Sequence, residues 1–526
     1  MIKSILISTI LFFALQRAIA QQPDIIPLPD HFSKVDADFV LSSGTVVTVQ
    51  DKEFEKVALF FQQQVLEYTG ISLPLKTRAK DRSVSFIKRK KSGKEPESYS
   101  LEMNDKYIII SSSTDRGAFD GAVSLLQLIR KGGAKENAVN LSCWKIEDKP
   151  LYSWRGFMLD ESRHFMGKTK VKSLLDWMAY YKLNRFHWHL TDQNGWRIEI
   201  KKYPKLALVG GIGNYTDPFT SATFYTQEDI KEIVQYAGQR FIEVIPEIDM
   251  PGHARAANMA YPEYSGGGTP KYPDYTFNPG KESTYSYLSN VLKEINVLFP
   301  SHMIHMGGDE VSYGNKNWET DSDVKALMQQ HALADIAKVE QYFVSRMADS
   351  IRELNNKVLV WDEAVDTNLP INETLVFWWR QNKPEQLKKA LDKGFSVVLC
   401  PRLPLYFDFV QDSLLTNGRK WEGKFNSLED VYSFSPNNFP GTRGHEDLVK
   451  GIQANLWTET IPGIPRLDFM LFPRICALAE AAWTSPEKRN FKLFENRLKP
   501  ELGLFKKSGL NFYEKKYMAN EIMGNN

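Results

Sequence analysis

The chain is 526 residues long, more than one ordinary core holds, so two domains plus a terminal extension are expected. Its 66 Lys and Arg nearly balance 64 Asp and Glu, and its basic run Lys88-Arg89-Lys90-Lys91 is short, which excludes the electrostatic footprint of a nucleic-acid binder. Apolar residues at 42% and charged residues at 25% are those of a soluble globular protein, but aromatics reach 12%, with 12 Trp, which fits either a well-packed core or sugar-stacking surfaces.

The N-terminus reads as a signal peptide over residues 1–20. Lys3 supplies the positive start, residues 5–15 the apolar stretch, and Ala18-Ile19-Ala20 the small-x-small cleavage site. The stretch is too short for a membrane span, and no later segment is apolar for long enough. No Cys follows the cleavage site, as a lipid-anchored bacterial protein requires, so the expected location is secreted or periplasmic. Cys143, Cys400 and Cys476 are odd in number and far apart, which excludes a disulfide framework and a close-spaced zinc motif; buried thiols are expected. Sequons start at Asn140, Asn214 and Asn372, a number that chance alone produces at this length.

Residues 21–149 read as a small α+β domain. Val57, Phe60, Phe61 and Val65 have helical spacing over residues 54–68, and the helix ends before Gly70. Residues 99–102 and 107–111 flank Asn104-Asp105 as a hairpin, and residues 116–130 read as a helix. Pro150 is the expected boundary. Beyond it, short apolar strands alternate with helices. Strands are expected at 155–160, 185–190, 241–248, 303–306, 357–361, 374–379, 395–399 and 451–456. Helices are expected at 170–181, 227–240, 284–298, 321–354, 384–392 and 466–482, with none between the fifth and sixth strands. Eight βα units over roughly 330 residues predict a (β/α)₈ TIM barrel for residues 150–505, with residues 506–526 a C-terminal tail. An open doubly wound sheet would more often bring a Gly-rich phosphate loop after its first strand, and none is present.

Polar residues gather after these strands: Asp160, Glu161 and Arg163; Thr191 and Asp192; Asp249 and His253; Asp309 and Glu310; Asp362 and Glu363; Trp378, Trp379 and Arg380; Tyr406 and Asp408; Trp457 and Glu459. In a TIM barrel all converge on the C-terminal face, where such enzymes do their chemistry. One Asp at one strand end reads as a helix cap, and that reading stands for Asp362 and Glu363 individually. Carboxylates at nearly every strand end, interleaved with Trp, read instead as glycoside hydrolysis. Gly307-Gly308-Asp309-Glu310 is the sharpest element. Two adjacent carboxylates repel, so one has a raised pKa and serves as the acid. Adjacent residues on a strand point to opposite faces, which favours a nucleophile from elsewhere over an acid and nucleophile drawn from this pair.

Residues 155–165 (RGFMLDESRHF), 187–192 (HWHLTD), 195–200 (GWRIEI), 246–253 (PEIDMPGH), 305–310 (HMGGDE), 361–363 (WDE) and 455–459 (NLWTE) together resemble glycoside hydrolase family 20, in the family's order and from about residue 22 to about residue 505. The resemblance implies an exo-acting, retaining β-N-acetylhexosaminidase acting on terminal β-linked N-acetylglucosamine or N-acetylgalactosamine by substrate-assisted catalysis, without a cofactor. It implies Glu310 as general acid/base. Asp309 would hold the acetamido N–H, and Tyr406 would bind the attacking acetamido oxygen. Trp361, Trp379 and Trp457 would box the acetamido methyl, with Trp421 a further candidate. Trp378 competes with Trp379, and the following Arg380 selects Trp379. Arg163, Asp408 and Glu459 would grip sugar hydroxyls, with Asp192 and His253 a relay behind the acid. Gln193-Asn194 departs from the Asp-Gln the family often shows, which touches only residues outside the direct contacts.

Two rival readings stand beside this one. His187, His189, Asp192, His253, His305 and Asp309 could ligate a metal, against barrel-interior histidines bonded to neighbouring carboxylates; chelation separates the two. A carbohydrate-binding protein of the same fold, catalytically weak, would keep the Trp walls and lose the acid. The sugar's identity, the linkage and the aglycone depend on loops at 210–226, 265–280 and 410–450, which spacing does not fold.

Overall fold

The computed structural model describes residues 21–79, 81–90, 95–135 and 137–514. The expected signal peptide, Lys91 of the basic run and the tail beyond residue 514 lie outside them. The described residues form two compact units that divide between Lys149 and Pro150.

The first unit is a seven-stranded mixed sheet of β1 (His31–Ser42), β2 (Val46–Val49), β3 (Leu75–Lys76), β4 (Ser83–Lys88), β5 (Tyr99–Met103), β6 (Tyr107–Ser112) and β7 (Ala138–Asp148), ordered β1-β7-β5-β6-β4-β2-β3. Helices Glu55–Thr69 and Asp115–Gly132 lie where helical spacing places them. Thr114 caps the second by accepting the Gly117 N–H at 3.1 Å. The hairpin closes because Asn104 Oδ1 accepts from the N–H groups of Lys106 and Tyr107, both at 2.8 Å. Strand β1, not expected from the sequence, is mostly exposed or half-buried and lacks a sustained apolar alternation.

The second unit is a closed barrel of eight parallel strands: β8 (Trp154–Asp160), β9 (Arg185–His189), β10 (Glu243–Glu247), β11 (Met303–His305), β12 (Lys357–Trp361), β13 (Thr374–Trp378), β14 (Ser396–Leu399) and β15 (Val449–Leu456), with β15 pairing β8 to close it. Strands covered on both faces are nearly continuous apolar runs, and β8 is buried at every position. Only short 3₁₀ turns join β12 to β13.

Two expected long helices are each divided. The 321–354 stretch becomes Ser322–His331 and Ile336–Glu353, because Ala332 turns left-handed at φ 51° and Asp335 recaps the chain on the Lys338 N–H. The 466–482 stretch becomes Ile464–Leu471 and Arg474–Trp483, broken where Pro473 has no N–H to continue the ladder. The last helix, Phe491–Lys507, runs two residues into the expected tail. Cys143, Cys400 and Cys476 are buried and form no disulfide.

Candidate active site

Glu247, at the end of β10, anchors the barrel's interior. Its Oε1 accepts from Trp361 Nε1 at 2.8 Å and faces His305 Nδ1 at 3.1 Å; its Oε2 meets His189 Nδ1 at 2.6 Å and His187 Nε2 at 2.9 Å. All five side chains are buried. A charged group at full burial needs such partners, and here the three strands β9, β11 and β12 supply them. The sequence assigned no role to Glu247, which meets four side-chain donors. An acid inside an apolar strand, opposite His on both neighbouring strands, was the available signal.

The next layer toward the mouth joins Arg163, Asp192 and His253. Asp192 takes Arg163 Nη2 at 2.6 Å, His189 Nε2 at 3.1 Å and His253 Nδ1 at 2.9 Å. Burial opposes ionisation of Asp192, but Arg163 and then His253 outweigh it and hold its carboxyl far below the usual range. Burial also opposes charge on His253, yet Asp192, Asp249 and Asp309 lift it to about 10. His253 Nε2 lies 2.8 Å from the Tyr275 hydroxyl, 3.8 Å from Asp309 Oδ2 and 3.7 Å from Glu310 Oε2. Tyr275 comes from a loop that periodicity did not fold. Gly314 accommodates its ring, since a Cβ there would stand 2.4 Å from Tyr275 Cδ1.

Asp309 and Glu310 lie beyond the end of β11, so the strand rule that would point them to opposite faces does not govern them. Glu310 is left-handed at φ 52° and ψ 20°, and both carboxylates face the same His253 nitrogen. A non-glycine residue held left-handed costs about 1–3 kcal/mol, which the surroundings must offset. Gly307 sits at φ 69°, where a Cβ would lie 1.8 Å from Asp249 Oδ1; only glycine lets the turn pass beneath that acid. The environments of the pair differ. The Glu310 side chain is 30% exposed, and that of Asp309 is 12% exposed. Burial, then Asp249, push Asp309 well above the ordinary range, and Asp249 itself is pushed up to about 7 by burial. Burial and Asp249 thus favour the neutral form of Asp309, where repulsion between adjacent acids alone gave no reason to prefer it. Asp309 Oδ1 is buried without a hydrogen-bond partner among the described residues.

Trp361, Trp379, Tyr406 and Trp457 belong to one buried cluster, with Trp421 partly buried against it. Trp379 and Tyr406 are near-parallel at 14° with centroids 6.3 Å apart, and Trp457 lies 6.1 Å from Trp361 and 6.2 Å from Tyr406. Trp379 is fixed by Glu363 Oε2, which accepts its Nε1–H at 3.0 Å. Asp362 accepts from Arg380 Nε at 2.9 Å. Neither acid caps the short helix Asp362–Asp366, whose N-cap is Trp361 without a side-chain bond. Trp378 points elsewhere, packing on Phe439 and donating to the Lys383 carbonyl at 3.3 Å.

At the far side, Arg163 is held by Asp192 and Asp160 and lies over Trp457, 5.0 Å from the ring centroid. Asp160 also accepts the N–H groups of Ser162, Arg163 and Thr458, while Glu161 turns away to Tyr225 and the Met166 N–H. Arg419, which the sequence did not single out, bridges Asp408 Oδ2 at 3.2 Å and Glu459 Oε1 at 2.5 Å. Burial lifts Asp408 to about 7 despite that cation. Glu459 Oε2 has no hydrogen-bond partner among the described residues.

Three groups carry metal-ligating residue types with atoms within 4.8 Å of one another: His187, Glu247 and His305; His189, Asp192 and Asp249; Asp249, His253 and Asp309. In the first two, Glu247 and Asp192 already face three or more protein donors, so a cation would have to displace them. The third combines two acids with a histidine that its neighbours keep protonated, which suits shared protons better than a metal.

The sequence matches glycosyl hydrolase family 20, catalytic domain, over residues 152–486, and domain 2 of that family over residues 22–149. The chain belongs to glycosyl hydrolase family 20. It is 32% identical to a β-hexosaminidase of Porphyromonas gingivalis, covering 93% of this chain and 64% of that protein's length. It is also 32% identical to a β-hexosaminidase of Vibrio furnissii, covering 86% and 76%. Among solved structures it is similar to the family 20 exo-β-N-acetylglucosaminidase from Vibrio harveyi in complex with N-acetylglucosamine (TM-score 0.86, 30% identity, 95% of this chain and 80% of that one). A β-N-acetylhexosaminidase from Bacteroides fragilis is similar at a TM-score of 0.80 and 31% identity, over 93% and 96% of the two chains. The closed eight-stranded barrel preceded by a smaller domain is consistent with these family 20 glycoside hydrolases.

Proposed function

We propose that the chain is an exo-acting β-N-acetylhexosaminidase that releases terminal, non-reducing β-linked N-acetylglucosamine or N-acetylgalactosamine with retention, the substrate's acetamido oxygen being the nucleophile. One observation carries the reading. Asp309 Oδ1 is a buried acceptor with no partner among the described residues, beside a closed aromatic cluster containing a tyrosine hydroxyl. A buried acceptor calls for a donor, and an acetamide supplies an N–H at that point, a carbonyl oxygen for Tyr406 and a methyl for Trp361, Trp379 and Trp457.

Glu310, the more exposed acid, protonates the leaving oxygen and later takes a proton from water. Positioning the acetamido oxygen beside the anomeric carbon replaces a bimolecular attack and lowers the barrier by up to ~7–11 kcal/mol. Asp309 answers the charge on the oxazolinium nitrogen, so it must ionise as substrate binds, its proton leaving to solvent through the mouth of the site. The acetamido N–H and the growing positive charge favour that ionisation, and His253 stands by as a cation 3.8 Å away. Arg163, Asp408 and Glu459 hold hydroxyls at the closed end. A carbohydrate-binding protein without turnover would not need an acid at the rim, and Glu310 is there.

The test is mass spectrometry of enzyme quenched during turnover of an aryl N-acetyl-β-glucosaminide. Turnover without a glycosyl adduct, together with tight inhibition by a thiazoline analogue of the oxazoline, is expected. A stable adduct on Asp309, Glu459 or another carboxylate would end the reading. We also infer that the chain is exported to the periplasm or beyond the cell, a reading supported by Lys3, the apolar residues 5–15 and Ala18-Ile19-Ala20. Mature protein beginning at Gln21 is the expected result of N-terminal sequencing.

A further inference from the structure

We propose that Arg419 is a positioning residue of the sugar grip: it holds Asp408 and Glu459 side by side as two anions, whose free oxygens accept the hydroxyl protons of the bound sugar. The proposal rests on the reading of Asp408 and Glu459 as the hydroxyl-binding acids of a hexosaminidase. Arg419 acts through these two acids.

The acids arrive from two places in the chain, Asp408 after β14 and Glu459 after β15. Arg419 arrives from a third, the loop 410–426, and stands between them. Its Nε lies 3.2 Å from Asp408 Oδ2, and its Nη2 donates to Glu459 Oε1 at 2.5 Å. The backbone sets this reach. The Arg419 N–H donates to the Asp408 carbonyl at 3.2 Å, and the Arg419 carbonyl accepts the Val410 N–H at 3.1 Å, so the residue is pinned alongside the acid that it pairs with. Gly418, at φ 127°, permits the close passage, since a Cβ there would stand 2.7 Å from Val410 Cγ1. Among the described residues no other Lys or Arg forms an ion pair with either acid.

The bridge supplies charge while leaving acceptors free. Asp408 Oδ1, Asp408 Oδ2 and Glu459 Oε2 are buried without a hydrogen-bond partner among the described residues, the Asp408–Arg419 contact being an ion pair and not a hydrogen bond. An ionised carboxylate only accepts, whereas a protonated one becomes a donor and loses an acceptor site. Burial is the largest influence on Asp408 and opposes its ionisation, and Glu459 opposes it too. Arg419 favours it, as do the Asp408 N–H and Arg474, whose guanidinium donates to the carbonyls of Phe407 at 2.6 Å and Phe409 at 2.9 Å on either side. Glu459 in turn faces Arg419 and acts on the charge of Arg163. Without Arg419 the two buried acids would repel unopposed, and one would take up a proton.

The experiment measures kcat/KM on an aryl N-acetyl-β-glucosaminide across the pH range for the native protein, Arg419→Gln and Arg419→Lys. This parameter reports the ionisations of the free enzyme, and limbs common to the three proteins cancel in their ratios. With Arg419 present the Asp408 carboxyl stands at about 7, and loss of the cation moves it higher. The ratio of native to Arg419→Gln should therefore be roughly tenfold below neutral pH, the effect of one neighbouring charge, and fall to within about threefold at strongly alkaline pH, where the acid is ionised in both proteins. Arg419→Lys keeps the charge without the fork and should stay within about threefold of native below neutral pH. A ratio near one at every pH overturns the proposal. So does an Arg419→Gln loss of the same size at every pH, which a merely structural residue would give, and so does Arg419→Lys performing no better than Arg419→Gln. If the native protein does not cleave the glycoside at any pH, the hexosaminidase reading itself fails.

Discussion

Replacing His253 by Phe keeps a ring of similar breadth and deletes one cation from among four acids. In the native site that cation lies 2.9 Å from Asp192, 3.8 Å from Asp309 and 3.7 Å from Glu310. Coulomb's law at that range, with an effective dielectric near 20, gives about 4 kcal/mol for a pair. Relaxation and entering water remove about half, so ionising Asp309 becomes about 2 kcal/mol harder, or roughly 30-fold in kcat. KM should change little, because the Asp309 charge matters most once the oxazolinium nitrogen turns positive. Stability changes with a definite sign. The folded pKa of His253, about 10, is raised above the ordinary value near 6.5, so its ion pairing stabilises fully below about pH 6.5 and fades as pH rises through 10. The melting-temperature gap between native protein and His253→Phe should therefore be widest near pH 6 and narrow toward pH 10. Steady-state kinetics on an aryl N-acetyl-β-glucosaminide and melting curves across that range measure both. A kcat within threefold of the native value, or a gap that fails to narrow, would refute the reasoning.

Glu310→Gln should depress cleavage of a β-linked N-acetylglucosamine disaccharide by ~10²–10⁴-fold and that of an activated aryl glycoside far less in the glycosylation step; equal pre-steady-state losses would remove Glu310 from the acid's role. Arg163→Lys should lower kcat/KM by at least about tenfold, because a single ammonium cannot serve Asp160, Asp192 and a sugar hydroxyl from one fork; a lower melting temperature with normal kcat/KM would make Arg163 structural only. Activity should survive EDTA, since every proposed step is proton transfer or charge stabilisation by side chains; a loss restored by zinc or calcium would point to Asp249, His253 and Asp309 as a metal site.

The barrel was legible because most of its strands are buried on both faces and so written largely as apolar runs, and because punctuation separates the runs. Legibility ended where a single backbone event overrides periodicity, as at Ala332 and Pro473, whose flanking residues still read as one helix each. Strand β1 escaped because its side chains are largely solvated, leaving pairing with β7 as what defines it. In the site, residues at strand ends were legible from spacing and resemblance. Arg419 and Tyr275 were not, since each arrives on a loop whose path is set by tertiary contacts, Arg419 to Asp408 and Glu459, Tyr275 to His253. The Trp378/Trp379 ambiguity yields to geometry, because adjacent rings at a strand end take opposite sides and only Trp379 meets Tyr406.

The upward shift of the Asp309 carboxyl shows what adjacency alone does not decide. Two neighbouring acids repel equally, so their order of ionisation is set by everything else around them. Here Asp309 is the deeper of the two and lies near Asp249, and burial and that second acid raise it. On the proposed mechanism the Asp309 proton must leave before the oxazolinium ion forms, and the acetamido group itself drives the departure by donating its N–H and then gaining positive charge. A sugar with a 2-hydroxyl can donate once but cannot become cationic at that atom. It would meet a neutral Asp309 and find no stabilising charge at the transition state. On that mechanism, discrimination between 2-acetamido and 2-hydroxy sugars should reside in kcat as well as in binding, with the burial of one carboxylate beside another as its origin; equal kcat values for matched 2-acetamido and 2-hydroxy aryl glycosides would refute this.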